Sequence, residues 1–266
     1  MTFCSGKSFS KVIFVKAVVM KIALLTTQTP HHTFFVREIA ARFDHVHVFS
    51  ESEGLRAPFD ISHPFEAERD QFERDNWFQS ADPRLDEFVQ VTTVDTMNCA
   101  EGISALASWQ PDVAIVFGTG RLSSAVLESG PRCFLNFHGG DPEEYRGLDT
   151  HLWAIYHSDF GGLVTTLHRV NSSLDDGEIC LQESIAISAG MQLHELRRAN
   201  TEACVRLAIA ALSSVREQGD LPCRKQRRAG RYYSFMPSQL KEICRKRFEK
   251  HTYSLGLSIA AESTPQ

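Results

Sequence analysis

The run Asp112-Val113-Ala114-Ile115-Val116-Phe117 constrains this chain more than any other segment. After the aspartate it has no polar side to offer water, so a strand built from it must be covered on both faces. Residues 21–26 (KIALLT) have the same character, and Cys133-Phe134-Leu135 repeats it before stopping at Asn136. Helix-patterned segments alternate with these runs at about 32–43, 100–109, 122–128 and 150–157, and a long amphipathic stretch follows at 191–217. Strands alternating with helices predict an α/β protein with a Rossmann-like, mostly parallel sheet and flanking helices. Further strands are expected at 45–49, 163–170 and 178–188. The polar, charged and aromatic stretch 50–95 is expected to hold one surface helix at 65–78, with Phe65, Phe72 and Trp77 touching the body. Thr29 or Thr33 is placed to cap the first helix.

The 266 residues suffice for one large domain with a small appendage. A net charge of -5 gives no general attraction to nucleic acid. The seven cysteines, at 4, 99, 133, 180, 204, 223 and 244, contain no C-x-x-C pair and are odd in number. Neither a zinc site nor a disulfide framework is expected, and reduced thiols in a cytoplasmic protein fit better. Near the start, Lys7 and Lys11 precede apolar residues 12–15 and 17–19, imitating a signal peptide. Lys16 splits that run, no A-x-A site follows, and the stretch is too short and interrupted to span a bilayer. Residues 1–19 are read as an extension upstream of a natural start at Met20, the alternative being an extra edge strand.

Beyond residue 217 the character changes to a C-terminal basic arm and tail, 218–266. Residues 223–250 carry ten Lys/Arg against two acids, with Tyr232, Tyr233 and Phe235 close by. One reading is an electrostatic footprint for phosphate or nucleic acid. The other, favoured by the acidic whole, is a solvated helix and an arm that closes on the main domain. Residues 254–266 are expected to form a loose tail.

Chemistry concentrates at Asn136-Phe137-His138 and, 37 residues after His138, Asp175 in Ser-Leu-Asp-Asp-Gly. On an extended segment Asn136 and His138 point to one side, and in open parallel sheets ligands bind at the carboxyl ends of strands. An acyl carbon attacked by an amine needs donors aimed at the oxygen where charge develops. Asn136 supplies an amide N–H. His138 either donates when protonated or takes the amine's proton. Asp175 either holds the imidazole and stabilises its charged form or passes a proton through water. No Ser or Cys nucleophile accompanies them, which favours direct transfer over a covalent intermediate. Singly, each residue is as well explained by a turn or a satisfied polar group.

Together with their neighbours they are more specific. Leu135-Asn136-Phe137-His138, Tyr145-Arg146-Gly147-Leu148-Asp149-Thr150, Trp153-Ala154, Val164-Thr165-Thr166-Leu167-His168-Arg169-Val170 and Leu174-Asp175-Asp176-Gly177-Glu178-Ile179 occur in order. This series resembles the formyltransferase family across roughly 20–217, which implies the formyltransferase fold. The resemblance implies a catalytic triad of Asn136, His138 and Asp175, the last preferred to Asp176 because it precedes Gly177 by two. It implies N10-formyltetrahydrofolate as formyl donor, held by Gly120, Arg121, Leu122, Leu127, Val170, Asn171 and Leu174, with no metal. Acceptor contacts are expected from Gln28, Thr29, His31, His32 and Thr33 after the first strand, and from Tyr145, Arg146, Gly147 and Trp153. One departure stands out: the family's Pro-Ser-Leu-Leu-Pro is replaced by Gly139-Gly140-Asp141-Pro142-Glu143-Glu144. The glycines either let a bulky ligand approach or make a looser turn.

The family's tRNA enzymes carry a C-terminal β-barrel, which the residues after the long helix do not resemble. The short arm and the Tyr145-to-Trp153 pattern look most like nucleotide-sugar N-formyltransferases, and 21–39 is similar to enzymes of O-antigen pathways. GDP-perosamine, a lipopolysaccharide precursor, is the specific expectation. Alternatives are methionyl-tRNA or another amine as acceptor, hydrolysis of the formyl donor, and a non-catalytic folate- or nucleotide-binding module. No membrane partner is expected, nucleic acid is disfavoured, and a homodimer through 220–250 is one way to cover the arm's aromatics.

Overall fold

The structure, a computed structural model, describes residues 19–171 and 175–262. The reading of residues 1–19 as an extension therefore lies, but for Val19, outside the described residues, as does Leu174.

The apolar runs form the centre of a seven-stranded sheet ordered β3-β2-β1-β4-β5-β7-β8. Its strands are β1 (Ile22–Thr27), β2 (Val46–Glu51), β3 (Gln90–Val94), β4 (Val113–Val116), β5 (Cys133–His138), β7 (Val164–Arg169) and β8 (Ile179–Ser184). From β3 to β5 the strands are parallel, whereas β7 runs antiparallel to β5 and β8 antiparallel to β7. The helices are α1 (Pro30–Ala40), α2 (Pro64–Phe78), α3 (Ala100–Trp109), α4 (Ser124–Ser129), α5 (Thr150–Tyr156), α6 (Leu196–Gln218) and α7 (Ser238–Glu262). Thr29 is the N-cap of α1, its hydroxyl accepting the His32 N–H. Trp77 of α2 stacks on Phe34 at 4.1 Å between ring centres, and Phe65 is buried. Strand β3 was not anticipated in the polar stretch 50–95.

Strand parity sorts the core into two layers. Ile22, Leu24, Val113, Ile115 and Leu135 pack with Phe35 and Ile39 of α1 and Ala208 and Leu212 of α6. Their alternates Ala23, Leu25, Ala114, Val116 and Phe134 pack with Leu106 of α3 and Val126 of α4. Asn136 and His138 continue the parity of Phe134 and so point toward this second face, at the carboxyl end of β5. In the antiparallel pairing with β7, Asn136 lies opposite His168 and His138 opposite Thr166. Register alone thus adds His168 to the face that carries Asn136 and His138.

The arm closes on the body. A three-residue strand β9 (Arg231–Tyr233) pairs in parallel with β6 (Tyr145–Gly147). Met236, Cys244 and Phe248 share a third core with Phe65, Tyr145, Ile155, Met191 and Leu196. Lys241, 1% exposed, donates to the Ile61 carbonyl at 2.6 Å and the Glu66 carboxylate at 2.8 Å. Part of the basic charge is paired: Arg224 with Glu143, Arg228 with Glu144, Arg245 with Glu242 and Glu249. Up to Glu262 the expected loose tail is helix α7.

Cysteine usage also departs from expectation. Cys180 on β8 and Cys223 form a disulfide. They flank the antiparallel bridge in which Ile179 and Arg224 exchange N–H···O bonds of 2.8 Å. Cross-strand geometry juxtaposes their β-carbons, a pairing that spacing in the sequence does not reveal. Among the described residues no cluster suited to a metal occurs, and no helix is long and apolar enough to cross a membrane.

Because Phe248 is fully buried in the third core, Phe248→Ala is expected to cost about 3–5 kcal/mol in a urea titration. Tyr253→Ala, on the exposed side of the same helix, should stay within about 0.5 kcal/mol. Equal, small effects would show that the arm is not part of the folded core.

Candidate active site

Asn136, His138 and Asp175 line one cavity of about 660 Å³. Asp175 reaches it from the turn between β7 and β8 with φ 49°, a left-handed conformation that aspartate tolerates better than most residues. Gly177 lets the turn fold back: a Cβ there would fall 1.6 Å from the Arg169 carbonyl oxygen. The turn is held from outside by Gln226, which donates to the Asp175 carbonyl at 2.7 Å and the Gly177 carbonyl at 2.8 Å. Arg146 donates to Pro142 O, Asp176 and Gln226.

Within the cavity the Asp175 carboxylate accepts the Gly147 N–H at 2.8 Å. One of its oxygens lies 3.7 Å from His138 Nδ1 and the other 3.6 Å from His168 Nε2. Burial works against its ionisation, but His168 and His138, when protonated, together with the Gly147 N–H outweigh it and hold the carboxyl below its usual range. His138 donates Nε2–H to the Tyr145 carbonyl at 2.6 Å, since a carbonyl only accepts. Nδ1 of the neutral ring then carries the lone pair. Burial pushes the His138 pKa below its ordinary value, more than Asp175 raises it. His168 donates Nδ1–H to Arg169 O at 2.8 Å, which leaves Nε2 to accept the Asn136 carboxamide N–H at 3.1 Å. One amide hydrogen of Asn136 is thereby engaged and the second stays available to a ligand.

One side of the cavity is the loop after β4. Gly118, at φ 90°, leaves room for the buried His32 ring, whose Cε1 would lie 2.2 Å from a Cβ. Glu51, 5% exposed at the end of β2, accepts from Gly120 N at 3.0 Å and from Met97 N at 2.7 Å. Asn98 holds Arg121 O and Ser123 N. Gly120, Arg121, Leu122, Val170 and Asn171 line the cavity as expected residues of a donor site, while Leu127 packs with the α3–α4 layer outside it. A backbone-rich loop fixed by a buried carboxylate beside apolar side chains fits a planar, polar-edged ring such as a pterin.

Of the expected acceptor contacts, His31 and Gly147 line the cavity. The others do not, because the fold uses their polar groups. Gln28 bridges Thr33, Pro83 O and Leu85 N, and Thr29 caps α1. His32 bonds Thr27, and burial takes its pKa down to about 3. Tyr145 donates its hydroxyl to Asp159, Arg146 is consumed as above, and Trp153 donates to Ser234 O while stacking on Tyr233. The substituted segment 139–144 is pinned: Thr150 donates to Gly139 O and Thr166 to Gly140 O. Glu143 is held at about 2 chiefly by the Arg224 guanidinium.

Residues given no site role from the sequence complete the cavity: His168, which lies within a quoted motif, and Arg69, Arg197, Asn200 and Tyr232. For His168 the signal lay in strand parity. Arg69 sits on α2 and Arg197 near the start of α6, and nothing local in the sequence brings them together. Arg197 is anchored on the fully buried Glu73 and on Asp70. Arg69 engages Asp70 through Nε alone among the described residues.

Residues 36–212 match the family described as Formyl transferase. The methionyl-tRNA formyltransferase of Desulfotalea psychrophila is 32% identical over 108 residues, covering 39% of this chain and 33% of that protein. The chain spans less than half the length of the curated relatives it matches. A 4-N formyltransferase from Francisella tularensis superposes with a TM-score of 0.57 at 14% identity, covering 86% of this chain and 88% of that one. WlaRD, a sugar 3N-formyl transferase crystallised in the presence of dTDP and 5-N-formyl-THF, gives 0.55 at 14% identity over 88% and 79%. With two thirds of its length matched by the family, this chain belongs to the formyl transferases.

Proposed function

We propose that the protein transfers a formyl group from N10-formyltetrahydrofolate to the amino group of a nucleotide-linked amino sugar. The observation that carries this reading is the convergence of Asn136, His138 and Asp175 on one cavity, between a backbone-rich loop and two arginines. Arg69 and Arg197 suit a phosphate-bearing acceptor, because guanidinium groups match phosphate oxygens. The sugar formyltransferases among the structural neighbours support that acceptor class. Within it, the similarity of 21–39 to O-antigen enzymes favours GDP-perosamine.

The bound donor supplies an electrophilic formyl carbon. The free amide hydrogen of Asn136 is placed to donate to the formyl oxygen as charge develops there. His138 acts as base: Nδ1 takes the amine's proton while Nε2–H stays on Tyr145 O. Asp175 then stabilises the imidazolium and helps pass its proton on to the folate nitrogen N10 as the tetrahedral adduct collapses, the formyl C–N10 bond breaks and tetrahydrofolate leaves. Of the two roles open to His138, base rather than protonated oxyanion donor is favoured, since burial favours the neutral ring and its one N–H is already committed. Among the described residues no Ser or Cys lines the cavity, in keeping with direct attack.

The curated relatives favour a second reading, methionyl-tRNA as acceptor. An assay with formyl-folate and, separately, dTDP-, UDP- and GDP-linked amino sugars, charged initiator tRNA and no acceptor decides between them by mass detection. Formylated tRNA alone overturns the sugar reading, and formate release without acceptor points to hydrolysis.

Asn136→Ala, His138→Ala and Asp175→Ala should each lower kcat by roughly 10²–10⁴-fold with unchanged circular dichroism. Near-normal turnover in the folded variants rejects the assignment. A second outcome concerns protonation. A depressed pKa means that His138 stays neutral as pH falls through 6.5 and charges only below it. NMR titration, with the resonance assigned by His138→Gln, should show that behaviour. Asp175→Asn removes the group that raises the pKa and should move the titration further toward acid.

A further inference from the structure

Tyr232 is the arm's contribution to the cavity, and it differs from its neighbour in every respect that matters for binding. Tyr233 is used by the fold: it stacks on Trp153 at 5.1 Å and Tyr145 at 5.6 Å between ring centres, and its hydroxyl bonds His157. Tyr232, one residue earlier on β9 and so on the opposite side, lines the cavity yet is 59% exposed. Among the described residues its hydroxyl has no hydrogen-bond partner and its ring no aromatic one.

The ring is nonetheless held in place. β9 pairs with β6, and Tyr232 lies opposite Arg146 next to Gly147. A Cβ at Gly147 would come within 2.8 Å of Tyr232 Cε2 and 3.1 Å of Cδ2, so the ring rests directly on that glycine's backbone. Gly147 has φ 94°, and its N–H is the one that holds Asp175. An exposed aromatic ring, with one edge against the Gly147 backbone, therefore lines the cavity beside the carboxylate of the triad. A rigid aromatic face presented to a ligand site is a stacking platform.

We infer that Tyr232 stacks on the planar base of the acceptor's nucleotide and is a specificity-determining residue of the acceptor site. The inference rests on the reading of the acceptor as nucleotide-linked. The donor's own rings are served by the loop after β4 and by Val170, which come from other parts of the chain. An arm lying beyond residue 212, where the family match ends, is suited to adapting a shared transfer site to one class of acceptor.

Calorimetric titration of the full chain with dTDP, UDP, GDP and, separately, tetrahydrofolate tests this, using wild type, Tyr232→Ala, Tyr232→Phe and the strand-favouring Tyr232→Thr. At least one nucleoside diphosphate should bind wild type. Its Kd should rise about tenfold or more in the Ala and Thr variants. It should stay within about twofold in Tyr232→Phe, and tetrahydrofolate should bind all four alike. Equal nucleotide affinity in Tyr232→Thr and wild type overturns the inference and leaves the nucleotide-linked acceptor standing. A loss falling on tetrahydrofolate assigns the ring to the donor and also overturns it. Failure of wild type to bind any of the three nucleotides removes both readings.

Discussion

The Asp175 carboxylate is the point on which this site depends. It is 7% exposed, and a buried carboxylate needs partners that repay its lost hydration. It accepts the Gly147 N–H on β6 and lies 3.7 Å from His138 on β5 and 3.6 Å from His168 on β7, all on elements distant in sequence. Its backbone adopts a left-handed conformation, kept by Gln226 from the arm and allowed by the absence of a side chain at Gly177. Strain of this kind persists only where the surroundings over-determine it. Here a sheet, a ribbon and an arm share that task.

In and beside the cavity, burial favours the neutral form of four imidazoles. Burial lowers His31 and His138, takes His32 to about 3 and His151 to about 4. Each pays for burial with a hydrogen bond or a close ring contact; His151, for instance, donates to Val164 O at 2.7 Å. For an amine acceptor this setting is apt, since a cationic wall would repel a protonated amine and a charged imidazole accepts no proton. Of the three arginines that line the cavity, Arg69 and Arg197 are tempered by Asp70 and Glu73.

Much of this was legible in the chain. The uninterrupted apolar runs dictated a covered parallel sheet, and parity on β5 put Asn136 and His138 on one side. What stayed hidden depended on register and on tertiary meeting points. His168 enters because β7 pairs antiparallel to β5, so Asn136 and His168 face each other. β3 was obscured by threonine-rich alternation at the sheet edge, and β6 and β9, three residues each, are too short for any periodicity. The polar residues 28–33 read as a ligand loop because side chains that brace a turn are the same types that grip a phosphate. Cys180 and Cys223 stand 43 positions apart, and only the bridge between Ile179 and Arg224 brings them together.

Gln226 and β9 have a consequence for how the protein is made. The triad, the sheet and the loop after β4 all precede Gln226 and β9 in the chain. A nascent chain that has grown only as far as Gly219 holds every group of the triad, but not the strand that pairs with β6 or the amide that grips the Asp175 turn. The basic arm is thus the last part of the site to be synthesised, and it closes on groups already laid down before it.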